Sequence, residues 1–352
     1  MQVKKHLYIS ASVLLLAVQL RAQDTHFSQY PQFSAAINPA LAGVDYDTRV
    51  TAGYRTQWGS VGKAYQNYGV VFEQSLKYKK LKGNHLAIMA SLFKDVAGDA
   101  KLSNINPNLG LSYVQKISKT MKFSGALQGG FMYKTIDVNA LRWDRQFDGY
   151  AYDASRPTGE EGNIPRSAMT SYDLGGGINF NYSQSERFIS AKDGNKANAG
   201  FSFYHAQMPR NSFIQSSEQL YMRYSVYANA EISVPRTKNA ILPSFIVTRQ
   251  GSSSEILLGA MFKWVLADQS VHTSLRKPAS FAIGGQYRYK DAIVPTVLYQ
   301  YNKYAFGVSY DINVSALTPA SKRMGGLEVM LRYNTSPGYG KNLGRGDSRA
   351  SY

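Results

Sequence analysis

The chain has 352 residues, a formal net charge of +17 and no cysteine. The missing thiols exclude disulfides, thiolate catalysis and cysteine-type zinc sites. Beyond residue 20 no run approaches the roughly 18 apolar residues of a membrane-spanning helix, and the mean hydropathy is −0.31, so a helical membrane protein is excluded as well.

In chain order, Lys4, Lys5 and His6 precede an apolar run from Leu7 to Leu20, and Arg21-Ala22-Gln23 follows. A basic start, an apolar stretch of secretory length and a small residue at its end predict a signal peptide over 1–22, cut after Ala22. A membrane anchor needs a longer run, and this one is broken by Ser10, Ser12 and Gln19. Cleavage would remove Lys4, Lys5 and Arg21 and no acidic residue, so +17 less 3 leaves +14. Such a balance suits acidic lipid head groups, acidic polymers or acidic proteins, while export argues against nucleic acid.

Residues 23–48 read as an irregular leader, with Pro31, Pro39 and Gly43 interrupting any regular element. From Arg49 onward the pattern has period two. Tyr304, Phe306, Val308, Tyr310, Ile312 and Val314 alternate with Ala305, Gly307, Ser309, Asp311 and Asn313. Leu327, Val329, Leu331 and Tyr333 alternate with Glu328, Met330 and Arg332. Phe281, Ile283 and Tyr287 oppose Ala282, Gly284, Gln286 and Arg288, and Phe123, Leu127 and Phe131 oppose Ser124, Ala126 and Gln128. These are strands with one apolar and one polar face. Each is near the ten or so residues that a tilted strand needs to cross a bilayer.

The predicted strands are about 49–57, 66–76, 85–94, 105–116, 122–135, 169–182, 197–206, 221–233, 240–250, 255–265, 280–289, 294–301, 304–313 and 325–333. That is fourteen, an even number as closed bacterial barrels have. The same alternation would serve a soluble β-sandwich. The signal, 26 Tyr and 16 Phe, and the Gly and Ser of the polar face favour an all-β outer-membrane barrel over 49–334, ahead of a flexible Gly-, Ser- and Arg-rich tail at 335–352. With the leader on the periplasmic side, 58–65, 95–104, 136–168, 207–220, 251–254, 290–293 and 314–324 become outer loops. Turns such as Lys77-Tyr78-Lys79-Lys80-Leu81-Lys82 become inner ones.

Two residue sets stand out. The polar faces carry Arg223, Glu231, Arg288, Asp311, Glu328 and Arg332. They can pair and fill the lumen, or they can line a channel. The long loop carries Trp143, Arg145, Phe147, Tyr150, Tyr152 and Arg156, residue types that dominate binding hot spots. Catalysis finds no such concentration. His26, His85, His205 and His272 are scattered without metal-type spacing, no phosphate-cradling loop opens a helix, and Gly175-Gly176-Gly177 sits inside a strand pattern. The expectation is a non-enzyme without cofactor or metal.

The opening Gln23-Asp24-x-x-Phe27-Ser28-Gln29-Tyr30, followed by Asn38-Pro39-Ala40-x-x-Gly43, resembles that of the PorP/SprF family. Arg55-x-Gln57-Trp58, Lys94-Asp95-Val96-Ala97-Gly98, Pro157-Thr158-Gly159-Glu160, Tyr287-Arg288-Tyr289-Lys290-Asp291-Ala292 and Gly307-Val308-Ser309-Tyr310-Asp311 match further family features in order. The resemblance spans about 23–334, and the Pro-Thr-Gly-Glu run is similar to the SprF branch. It implies an outer-membrane component of type IX secretion and gliding. Such a protein would serve a large secreted adhesin with a C-terminal sorting domain, or periplasmic and lipoprotein parts of the apparatus, with outer-membrane lipid around it. A passive channel or hydrophobic-solute transporter is the alternative. The leader could plug the lumen or lie along the periplasmic rim.

Overall fold

A computed structural model describes residues 26–60, 62–76, 83–159, 167–184, 194–213, 218–268, 276–315 and 318–335. The expected signal, the Lys77–Lys82 turn, Glu160 and the tail beyond Thr335 lie outside the described residues.

Fourteen strands form one sheet closed on itself. They are β1 (Thr48–Gln57), β2 (Tyr65–Leu76), β3 (His85–Ala97), β4 (Leu102–Lys116), β5 (Met121–Thr135), β6 (Ala168–Ser183) and β7 (Lys196–Tyr204). Then come β8 (Arg223–Ser233), β9 (Ala240–Gln250), β10 (Ser253–Ala267), β11 (Ala279–Arg288), β12 (Ala292–Tyr301), β13 (Tyr304–Asn313) and β14 (Met324–Thr335). Every bound falls within three residues of the sequence reading. Each strand pairs antiparallel with its chain neighbour, and β1 pairs with β14 from Thr48↔Thr335 to Gln57↔Gly326. Closure leaves no sheet edge. No helix among the described residues is long and apolar enough to cross a membrane, so the strands would make any crossing.

Period two now has a direction. On β13, Tyr304, Phe306, Tyr310 and Ile312 are exposed on the outer wall, while Ala305, Ser309, Asp311 and Asn313 are buried inside. Tyr304 and Tyr333 lie 5.3 Å apart at the end holding the first residue of β1 and the last of β14, called here the terminal end. Tyr54 and Tyr68, with centroids 5.1 Å apart, and Trp58 and Tyr65 at 6.0 Å sit toward the opposite end. Aromatics at both rims of an apolar wall are what two water–lipid interfaces select.

The interior is filled by the leader. From His26 beside the loops of the far end, it runs through the lumen to Asp47 at the terminal end. Among the described residues it forms short helical turns at Tyr30–Gln32, Ser34–Ile37 and Pro39–Leu41. Here Pro31 and Pro39 do not interrupt structure as the sequence reading expected. Each occupies a first-turn position, where a missing N–H costs nothing. Phe27, Phe33 and Ala42 pack with Val71, Ala87, Met89, Leu298 and Met330 of the inner wall. Tyr30, Ile37 and Leu41 pack with Tyr227, Ile246 and Leu257. Each large apolar side chain buried this way contributes about 1.5–3 kcal/mol. The apolar core therefore lies between leader and wall, inside a barrel whose other apolar surface faces out.

Leu127, near the middle of β5, is 72% exposed on that outer wall. Leu127→Arg is expected to destabilise the barrel by about 2–4 kcal/mol in lipid vesicles. The comparison is Ile117→Arg in the β4–β5 turn, which should cost at most about 1 kcal/mol. Equal denaturant midpoints for the two variants would remove the outer wall from the bilayer.

Candidate functional site

Two arrangements have the character of sites: a charged cluster in the lumen near the far end, and a hairpin in the β5–β6 connection at the same end.

The cluster follows from strand parity. Arg55 on β1, Glu255 on β10, Arg288 on β11, Asp311 on β13 and Glu328 on β14 all point inward near the far ends of their strands. Arg55 donates to Asp311 at 2.6 Å and lies 3.7 Å from Glu328. Arg288 meets Asp311 at 3.0 Å, Glu255 at 3.1 Å and Asp291 at 3.0 Å. Arg55, Arg288, Asp311 and Glu328 are all buried. Buried charges are tolerable only when paired and hydrogen-bonded, and here each is.

The leader is part of this network. The backbone N–H groups of Ser28 and Gln29 donate to the Glu328 carboxylate at 2.7 and 2.9 Å. The Ser28 hydroxyl donates to Asp311 at 3.0 Å and accepts from Arg288 at 2.6 Å. Arg55 donates to the His26 carbonyl at 2.6 Å. Closer to the terminal end, Arg49 pairs with Glu73 at 2.6 Å, and Ser34 donates to Glu73 at 2.6 Å. Across the lumen the Asn38 amide donates to the carbonyls of Ile178 and Phe201 at 2.8 and 3.1 Å.

All six charges singled out in the sequence face the lumen, but they do not form one set. Arg288, Asp311 and Glu328 belong to the cluster. Arg223 donates to the Ala36 carbonyl at 3.3 Å, with its guanidinium 4.3 Å from the Tyr204 ring centre. Arg332 donates to the Gln32 side chain. Glu231 pairs with Lys263 at 2.6 Å toward the terminal end. Arg55, Arg49, Glu73 and Glu255 were missed. Continuing the period-two parity of β1 inward through Arg49, Thr51 and Arg55 is the signal that finds two of them. No group of three or more His, Asp and Glu among the described residues could hold a metal ion.

The hairpin gathers the six loop residues. Phe147 bridges to Tyr152 across the turn Asp148-Gly149-Tyr150-Ala151, where Gly149 has φ +101°. Asp148 accepts from the N–H groups of Tyr150 and Ala151 at 2.8 and 2.7 Å. At the centre lies buried Gln146. Its amide donates to the carbonyls of Ala154 and Arg156, and its oxygen accepts from the Tyr152 hydroxyl at 2.8 Å. Trp143 starts the 3-10 turn Asp144–Gln146 and Arg145 lies in it, while Arg156 reaches toward Asp148 and Asp153. Tyr150 at the tip is 98% exposed and Phe147 54%. The loop is thus a built scaffold that displays aromatics. The sequence reading took this stretch only as loop; Asp148 followed by Gly149, an Asp placed to accept from the backbone two residues on, is the signal that would have found the turn.

A closed antiparallel barrel with an apolar aromatic outer wall and a charged, filled lumen defines the class of outer-membrane β-barrel proteins. Within that class the chain belongs to the PorP/SprF family: the description "Type IX secretion system membrane protein PorP/SprF" matches residues 19–333. No curated protein matches the chain. Among solved structures it is similar in fold to the monoaromatic hydrocarbon channel CymD, at 9% identity over 90% of this chain and 94% of that one, with TM-score 0.43. BamA from Haemophilus ducreyi lacking POTRA domains 1–3 aligns at 9% identity over 82% and 70%, TM-score 0.42. CdiB from Escherichia coli aligns at 12% over 83% and 64%, TM-score 0.41.

Glu328→Leu would leave Arg55 half-paired and two leader N–H groups without an acceptor. It is expected to cost about 3–5 kcal/mol, read from denaturant unfolding in detergent micelles. A loss under 1 kcal/mol would mean that Glu328 does not hold the leader.

In the hairpin, the N–H groups of Ala151 and Tyr150 hold the Asp148 carboxyl below its ordinary value of 3.8. A depressed folded value means that the stabilisation is complete above the ordinary value and is lost as pH falls through the lower one. Protease resistance of 143–156 should therefore persist at pH 5, and Asp148→Ala should lose it at pH 7. Equal cleavage of both proteins at pH 7 would show that Asp148 does not support the tip.

Proposed function

We propose that this barrel is a non-enzymatic component of the type IX secretion and gliding machinery, of the SprF-like branch. It sits in the outer membrane and docks a large secreted adhesin carrying a C-terminal sorting domain at its long-loop end. At its terminal end it meets periplasmic and lipoprotein parts of the apparatus. The observation that carries this reading is the hairpin 143–156, an ordered scaffold holding Tyr150 and Phe147 out into solvent at one end of a filled barrel. Exposed aromatics held on a rigid turn lose little entropy on binding, which is what an anchor residue needs. The family supports a secretion setting. The basic chain suits an acidic partner, with charge steering the encounter.

The passive channel or hydrophobic-solute transporter remains the alternative. It draws on the lumen charges, but those charges are paired with each other and with the leader.

The test is affinity purification of the tagged protein from outer membranes in mild detergent. A large secreted protein with a C-terminal sorting domain should co-purify with the wild type. Tyr150→Ala/Phe147→Ala should reduce its recovery at least tenfold without changing barrel yield. Undiminished recovery with the double variant would move the docking surface away from the hairpin. A barrel that purifies alone and conducts in planar bilayers would favour the channel.

A further inference from the structure

We propose that the barrel lumen is a peptide-binding site whose ligand is the chain's own leader, His26–Asp47, and that this leader, rather than the wall, shuts a polar passage through the barrel.

The wall does not need the leader in order to close. β1 pairs with β14 and with β2 along its whole length, and no leader residue enters the sheet. From Gln29 to Val44 the backbone-to-backbone hydrogen bonds of the leader are internal, such as Phe33 to Tyr30, Asn38 to Ser34 and Val44 to Leu41. Among the described residues its backbone joins the wall's only at its end, where Asp47 donates to Thr335 at 3.0 Å and accepts from Ser75 at 2.7 Å. Between those limits the leader is held as a ligand is held, by side chains that reach it from strands far apart in sequence. Glu328 takes two consecutive leader N–H groups and Arg55 gives to the carbonyl of His26. Ser124 donates to the Ala40 carbonyl at 2.6 Å, and Ser202 to that of Ile37. Lys122 donates to the Val44 carbonyl at 3.0 Å.

The wall is also shaped to its ligand. A β-carbon added at Gly53 would run into the Phe33 ring, which supplies its three nearest atoms. One added at Gly307 would meet the Gln29 side-chain oxygen, with Met330 behind it. Phe33 is 0% exposed and stacks on Phe27 at 4.3 Å between ring centres, so it has little room to give way. The fit leaves a residual cavity of about 70 Å³ against β8–β10, bordered by Tyr30, Ile37, Arg223, Glu255 and Leu257. That is space for about two water molecules.

Behind the leader the inner wall carries, beside its apolar patches, the polar groups of Asn67, Asp95, Ser112, Gln128, Thr296 and Asp311, which all point inward and are buried. Fourteen strands enclose a wider interior than the eight whose side chains fill a barrel by themselves. With the leader displaced, that interior becomes a water-filled passage lined by hydrogen-bonding groups.

The test uses the full chain, which has no native cysteine. Ala87 of the inner wall, 0% exposed under the leader's cover, is replaced by Ala87→Cys as the site for labelling with a membrane-impermeant maleimide. Two further variants displace the leader from opposite sides: Gly53→Leu/Gly307→Val fills its seats, and Phe33→Ala/Asn38→Ala removes its anchors and leaves the wall untouched. Both should raise maleimide labelling at least tenfold and give channel openings in planar bilayers, with the heat-shifted gel band of a folded barrel retained. The parent should be silent. Openings of equal size from the parent would overturn the proposal, because the leader would then close nothing. So would folded variants that stay silent and unlabelled. If the seat-filling variant does not fold, the anchor variant decides by the same readouts. If neither folds, the leader belongs to the wall's own folding unit and the ligand description is wrong. None of these readouts involves a secreted partner, so the result stands apart from the docking test.

Discussion

A strand in lipid has no water to satisfy an unpaired amide, so every backbone N–H and C=O on the wall must find its partner within the sheet. The rest of this structure follows from that requirement. It forces β1 back onto β14, which fixes an even strand number when each neighbour pairs antiparallel. Closure also separates the two faces of every strand completely. What faces out meets hydrocarbon, so it is Leu109, Leu127, Phe306 and Leu331. What faces in meets only the rest of the chain, so it can be Arg55, Glu73 or Asp311. Charges that would be ruinous on the outer wall become usable inside it.

Closure also creates a volume problem that inward side chains of fourteen strands do not solve alone. The leader solves it with apolar groups that the wall cannot carry on its inner face in sufficient bulk. Phe27, Phe33, Ile37 and Leu41 enter as one segment and find Val71, Met89, Ile246 and Leu257 waiting. The polar backbone they bring with them is what the charged cluster is for. A buried N–H without an acceptor costs about 1–3 kcal/mol, and Glu328 removes that cost at Ser28 and Gln29 together. The cluster therefore needs the leader as much as the leader needs the cluster. Without Ser28, Arg288 and Asp311 would lose a bridging hydroxyl.

The wall was almost wholly legible in the sequence, because period-two alternation is a local signal repeated fourteen times. Tyr304 through Asn313 sorted its faces without ambiguity. The leader was legible only as something other than strand. Its placement depends on long-range contacts such as Glu328 to Ser28 and Asn38 to Phe201, which leave no mark on local periodicity. Prolines at 31 and 39 read as breaks, since the same residue ends one element and begins another. The cluster was half legible. Arg288, Asp311 and Glu328 sit in strongly alternating runs, whereas Arg55 sits in β1, where Val50, Ala52 and Tyr54 give a weak apolar face. In the hairpin the aromatics were visible, whereas the turn at Asp148 and Gly149 that presents them went unread. Gln146, the residue that ties the hairpin together, was not visible either, because a polar side chain in a loop has no reason to look buried.

A filled lumen moves the place where this protein can act. A wall that faces lipid presents an apolar surface, and the charges of the lumen pair with each other and with the leader. What is left are the two ends. They differ in kind: at the terminal end leader and sheet join at Asp47, while the far end carries the β5–β6 connection with its displayed tip at Tyr150. The leader touches the wall near both ends, from Arg55 and Glu328 to Lys122 and Ser75. A segment that fills the barrel thus also bridges strands far apart in sequence: its polar contacts run from β1, β13 and β14 near the far end to β2 and β5 near the terminal end.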